Sequence, residues 1–151
     1  MIARRAILLG LIAFPAIAAS HAGPVNQQDG PAVAGYDVVA YFTVGRATPG
    51  RPDLTAEHDG ATYRFSSAAN RDEFVAAPTR YLPQYGGYCA FGLARGYKAV
   101  IDPTAFTIVD GKLYLNYSHD IQAKWLRQRP ADISLADANW PKVVNSPEVV
   151  R

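Results

Sequence analysis

Two Asp-Gly dipeptides, Asp59-Gly60 and Asp110-Gly111, constrain this chain more than any other feature. Each sits between short runs that alternate apolar and polar residues. A two-residue type I′ turn needs positive φ at both central positions, which Asp and Gly tolerate. The first dipeptide predicts a hairpin over Thr55 to Phe65. Tyr63 and Phe65 then share one face, and Thr62 and Arg64 the other. The second predicts a hairpin over Phe106 to Tyr117, with Phe106 and Ile108 on one face and Leu113 and Leu115 on a matching one.

Helix signals follow each hairpin. Ser66-Ser67 offers a cap for a helix over Ala68 to Ala77, with Phe74 and Val75 inward. Pro78 stops it or starts a further short turn, and Pro83 ends the Thr79 to Leu82 segment. Ser118 caps a helix from His119 to about Arg127, with Ile121 and Trp125 at i,i+4 spacing. Tyr88 to Ala94 reads as helical, closed by Gly96. A last short helix spans Asp132 to Asn139 and ends at Trp140-Pro141. The expected fold is a single α+β domain of two antiparallel β-hairpins and four or five short helices. No βαβ alternation, internal repeat or low-complexity run is read.

Met1 to Arg5 carries two arginines, Ala6 to Ala19 is uncharged and apolar, and Ser20-His21-Ala22 is a small-x-small pattern. That order predicts a signal peptide over 1–22, cut after Ala22, Ala18 or Ala19. The apolar run is short against the roughly 20 residues that span a bilayer; the alternative is an uncleaved N-terminal anchor. Export removes Arg4 and Arg5, so 15 basic residues become 13 against 13 acidic ones. A neutral exported domain gives no support for binding nucleic acid or anionic lipid. Residues 23–34 are polar and Gly/Pro-rich and read as a flexible linker. The domain is expected over 35–143, with a tail at 144–151.

The chain has one cysteine, Cys89, inside Tyr85-Gly86-Gly87-Tyr88-Cys89-Ala90. It has no internal disulfide partner. It is therefore buried, paired with another molecule, bound to metal, or a reactive thiol. If Gly86-Gly87 opens a helix, Cys89 falls in the first turn, where backbone N–H groups favour a thiolate. Asp37 lies in the apolar run Gly35 to Phe42. It is either a ligand or acid/base group in an apolar site, or a cap on the turn over Val38 to Tyr41. No Ser lies in a G-x-S-x-G elbow and no paired-carboxylate motif occurs, so hydrolase chemistry has no support.

Several motifs resemble one family. Asp59 to Ser67, then Phe74, then Pro78-Thr79-Arg80-Tyr81, resembles the YHS domain. The longer order of Gly35 to Phe42, Tyr85 to Ala90, Asp110 to Asn116 and Asp137 to Pro141 is similar to exported bacterial YHS-domain proteins, across about residues 35–143. The resemblance implies a periplasmic or secreted protein and an association with heavy metals through cysteines. Where YHS domains place cysteines, this chain has Ser66 and Ala69 or Asn70, so a metal site here would be built around Cys89.

Once the signal has left, the soft donors are Cys89, His58 and His119. Cu(I) selects thiolate and imidazole ligands. One expectation is thus a copper site formed by Cys89 with His58, and with Asp37 or a Tyr hydroxyl. A second is a thiol-redox or thiol-nucleophile protein using Cys89, with any resolving thiol supplied from elsewhere. A third is a non-catalytic domain in which Cys89 is a small buried hydrophobe. The partner is expected to be a metal ion or small ligand, with no membrane span after signal cleavage.

Overall fold

The computed structural model describes residues 23–151; the expected signal peptide lies outside the described residues. Both hairpins form. β1 (Arg51–His58) pairs antiparallel with β2 (Ala61–Phe65), and β3 (Asp102–Val109) pairs antiparallel with β4 (Lys112–Asn116). The turns carry positive φ at Asp59, Gly60, Asp110 and Gly111, as type I′ geometry demands. Among the described residues six α-helices accompany them: α1 (Ala40–Thr43), α2 (Ala68–Ala76), α3 (Pro78–Tyr81), α4 (Ala90–Ala94), α5 (His119–Arg127) and α6 (Arg129–Val143). The α+β expectation is met. Among the described residues no helix is long and apolar enough to cross a membrane.

In the first hairpin the faces pack as the alternation requires. Tyr63 and Phe65 are buried and hold the Phe74 ring at centroid distances of 4.9 and 5.1 Å. In the second, Leu113 and Leu115 are buried, but Ile108 is exposed and Tyr114 on the other face is buried too. Val75, expected inward on α2, is exposed. Tyr114 of the second hairpin packs against Trp125 of α5, the ring centroids 5.2 Å apart. Trp125 is fully enclosed. Each Ser cap works as read: Ser67 accepts from the Asn70 amide, and Ser118 from the Ile121 amide.

These parallels extend along the chain, contrary to the expectation of no repeat. β1 and β3, β2 and β4, and α2 and α5 are each displaced by 51 residues. Both β1 and β3 slip register after their first residue, between Arg51 and Thr55 and between Asp102 and Phe106. Ahead of each hairpin stands a left-handed turn, Val33-Ala34-Gly35 and Tyr85-Gly86-Gly87, with positive φ at all six residues. The two turns are 52 residues apart. The domain is two copies of one unit: left-handed turn, short helix, hairpin, capped helix. The repeat is hidden because it keeps turn, cap and ring positions while most side chains differ.

Three other expectations are corrected. Residues 23–34 are packed into the domain: Asn26, Ala32 and Val33 are buried. The Asn26 backbone N–H donates to Gly86 O at 2.8 Å and its Nδ2 to Gly87 O at 3.1 Å, and Gln28 both donates to Ile101 O and accepts from Ile101 N. Two polar side chains do here what a strand would do, which composition does not reveal. The tail is pinned likewise. Val150 exchanges backbone bonds with Lys98 and Val100. The buried Lys98 Nζ donates to Gly23, Val144 and Ser146 carbonyls and lies 4.8 Å over the Tyr88 ring. Finally, α6 runs through Pro141 to Val143. Only one backbone bond is lost at a proline, and packing of Trp140 on Tyr85 and Tyr88 holds the last turn.

Candidate functional site

Cys89 follows the second left-handed turn. Gly86 and Gly87 permit that turn, and a Cβ on Gly86 would collide with the Pro24 carbonyl. The helix does not begin at Tyr88: Cys89 stands at the N-cap position of α4, which starts at Ala90, and its side chain makes no cap hydrogen bond there. Its backbone N–H donates to Ala99 O at 3.0 Å.

The sulfur sits at a convergence of donors. The Tyr117 amide, at the β4–α5 junction, donates to Sγ at 3.2 Å. The thiol approaches Asn116 Oδ1 at 3.6 Å, and that same oxygen accepts from the Phe91 amide at 3.2 Å. Burial pushes the Cys89 thiol up from its ordinary value; the amides of Gly92, Tyr117 and Phe91, and the charge of Arg95, pull it back without winning. Burial therefore works against the thiolate that a helix-start position was expected to favour. A five-residue helix supplies little dipole, and desolvation of the charged form dominates.

Cys89 is only 1% exposed, yet it lines an apolar cavity of about 160 Å³ with Phe91, Tyr97, Ala99, Tyr117, Ile121 and Val150. Tyr97, Tyr117 and Val150 are among the exposed large hydrophobic residues. The cavity thus has a wet aromatic rim and a dry floor at the thiol. Arg95 lies flat against Phe91, 3.3 Å from its ring centroid, and pairs with Asp132 at 3.2 Å.

Asp37 occupies the corresponding place in the first unit. Its Oδ1 accepts from the Val39 and Ala40 amides at 2.9 and 3.2 Å. Its Oδ2 accepts from the Ser66 amide at 2.8 Å, the Ser66 hydroxyl at 2.6 Å and Asn70 Nδ2 at 2.8 Å. The residues before and after match too: Tyr36 N to Val33 O answers Tyr88 N to Tyr85 O, and Asp37 N to Thr48 O answers Cys89 N to Ala99 O. Asp37 thus caps the Val39–Ala40 turn, with five donors on its two oxygens.

His58 stands at the end of β1 against the Phe74 ring, with Nε2 3.4 Å from Asp59. It lines a different cavity, with Pro24, Tyr63, Leu82 and Gly86. His119 is exposed and paired with Thr104 Oγ1 at 2.8 Å. The structure thus does not gather Cys89, His58 and Asp37 into one donor set. Among the described residues no group of three His, Cys, Asp or Glu is placed to hold a metal. The donors present do not fit the expected copper centre. Asn116, Tyr117 and Ile121 are the site residues that sequence reasoning missed; their signal is their place 51 residues after Phe65, Ser66 and Asn70. Compared with protein-family models, curated proteins and solved structures, the chain finds no match.

Proposed function

We propose that this is an exported, YHS-like domain protein whose working group is the Cys89 thiol. It acts as a thiol-redox or thiol-nucleophile centre toward a small neutral molecule. One observation carries the reading: the Cys89 sulfur, held by the Tyr117 amide and beside the Asn116 carboxamide, lies at the floor of an apolar cavity with an exposed aromatic rim. A cavity near 150 Å³ admits a benzene-sized guest. The thiolate is the nucleophile, and a fixed amide beside the sulfur stabilises its charge as it forms, without reorganising. Keeping the thiol neutral at rest suits a lone cysteine in an oxidising compartment, since the thiolate is the reactive form. The copper reading would need donors from outside the Cys89, His58 and Asp37 set.

The near-complete burial of Cys89 favours one other reading, a thiol that serves only as core. Reaction of the native protein with methyl methanethiosulfonate and with the bulkier dithionitrobenzoate separates the two. The proposal expects the small reagent to label Cys89 fully while the large one labels it slowly, with Cys89→Ser inert to both. Labelling by neither reagent until the protein is unfolded means the thiol is core. Stoichiometric copper in the isolated protein, lost in Cys89→Ser, would instead restore the metal reading.

A further inference from the structure

We infer that Cys89 is a peroxide-oxidation site, and that its sulfinate takes in the second unit the place the Asp37 carboxylate takes in the first. This rests on the reading of Cys89 as a reactive thiol and goes beyond it by naming the oxidant class and the product. A cysteine sulfinate carries two oxygens and one negative charge on the atom beyond Cβ. An aspartate carries the same pattern on carbon.

The two seats share their frame of backbone donors. Val39, Ala40 and Ser66 amides hold Asp37. At the matching positions the Tyr117 amide donates to Cys89 Sγ, and the Phe91 amide donates to Asn116 Oδ1, which itself rests on the thiol. In the first unit the Ser66 hydroxyl and Asn70 Nδ2 close the seat from above. Their counterparts, Tyr117 and Ile121, instead line the cavity. The second seat is thus built for a two-oxygen anion, holds a single neutral sulfur, and has space where the oxygens would go.

Asn116 is an independent mark of the same vacancy. It is fully buried, its Oδ1 rests on the thiol, and its Nδ2 has no hydrogen-bond partner among the described residues. An unpaired buried donor is costly. With a sulfinate present, the Phe91 amide turns to it as the Val39 amide does to Asp37. A half-turn of the Asn116 carboxamide then gives Nδ2 to the second oxygen, as Asn70 gives its own.

The chemistry balances with hydrogen peroxide as oxidant. The thiol loses its proton as sulfur attacks one peroxide oxygen. The O–O bond breaks, and hydroxide leaves and takes that proton to become water. Sulfur is oxidised by two electrons to the sulfenic acid, Cys–SOH. A second peroxide reacts in the same way and yields the sulfinic acid and another water; the sulfinic acid then releases its proton to solvent to become the sulfinate.

Incubation of the purified protein with hydrogen peroxide, followed by intact mass and thermal melting, tests this. The expected result is a plateau at a gain of about 32 Da on Cys89, absent in Cys89→Ser, with a Tm raised by about 3–5 °C from the completed cap. Asn116→Leu should keep the mass gain and lose part of the Tm rise. No stable gain, continuation to about 48 Da, or a lowered Tm at the plateau overturns the inference. A protein labelled by methyl methanethiosulfonate but refractory to peroxide overturns this inference alone; one refractory to both overturns the thiol-centre reading as well.

Discussion

Replacing Asp37 by alanine tests the cradle geometry where it is already filled. Five donors meet this carboxylate, three of them backbone amides within the buried Val39–Ala40 turn and at Ser66. Loss of a cap costs about 1 kcal/mol. Each buried amide left without an acceptor adds about 1–3 kcal/mol before relaxation. The Ser66 hydroxyl and Asn70 carboxamide lie 3.5 Å apart and can turn to one another, so they add less. Against these losses, a fully buried carboxylate without a basic partner no longer has to be desolvated. The balance is a loss of about 3–4 kcal/mol. For a domain of this size that is a fall of about 1.5–2 M in the urea midpoint at unchanged slope. Asp37→Asn should lose about half as much, because its NH₂ would face the Ser66 or Asn70 donors. A loss below about 1 kcal/mol for Asp37→Ala would refute the seat as a stabilising anion site, in both units.

Other outcomes follow from the same structure. Lys98→Met removes three carbonyl partners at once and should cost about 2–3 kcal/mol, with the Val100 and Val150 amides losing hydrogen-exchange protection first. Gly86→Ala should destabilise by at least about 2 kcal/mol, since its Cβ meets the Pro24 carbonyl. Gly60→Ala, also at positive φ but in open space, should cost about 1 kcal/mol. Stability should fall in alkali: burial raises Cys89, Tyr85 and Tyr88 above their ordinary values of 9.0 and 10.0. The folded state then binds more protons than the unfolded one above those values, so this stability is complete below pH 9 and drains as pH rises through the raised pKa. Lys98, lowered by burial, gives the opposite slope. The Cys89 part is therefore read as the difference between the native protein and Cys89→Ser in unfolding free energy from pH 8 to 11.

The sequence was most legible where one residue decides a backbone conformation. Asp59-Gly60 and Asp110-Gly111 located both hairpins, and Ser67 and Ser118 located two helix starts. It was least legible where partners are remote. Asn26 and Gln28 look like linker residues until Gly86, Gly87 and Ile101 are brought to them. The thiol's environment was misjudged for a related reason: Gly86-Gly87 marks a left-handed turn as readily as a helix start, and burial by distant residues outweighs local amides. The repeat was legible in principle. Tyr63 and Tyr114, Phe74 and Trp125, and the two Asp-Gly turns share a spacing of 51 residues. It is masked because Asp37 and Cys89, the pair that gives it meaning, differ in chemistry and are 52 apart.

The most direct measurement is the unfolding free energy of Cys89→Asp beside Cys89→Ala at pH 7. If the amides of Phe91, Gly92 and Tyr117 form a seat for an anion, the Asp variant is the more stable by about 1 kcal/mol. If the site is ordinary core, the buried charge makes Cys89→Asp the less stable of the two, and the equivalence of Cys89 and Asp37 fails with it.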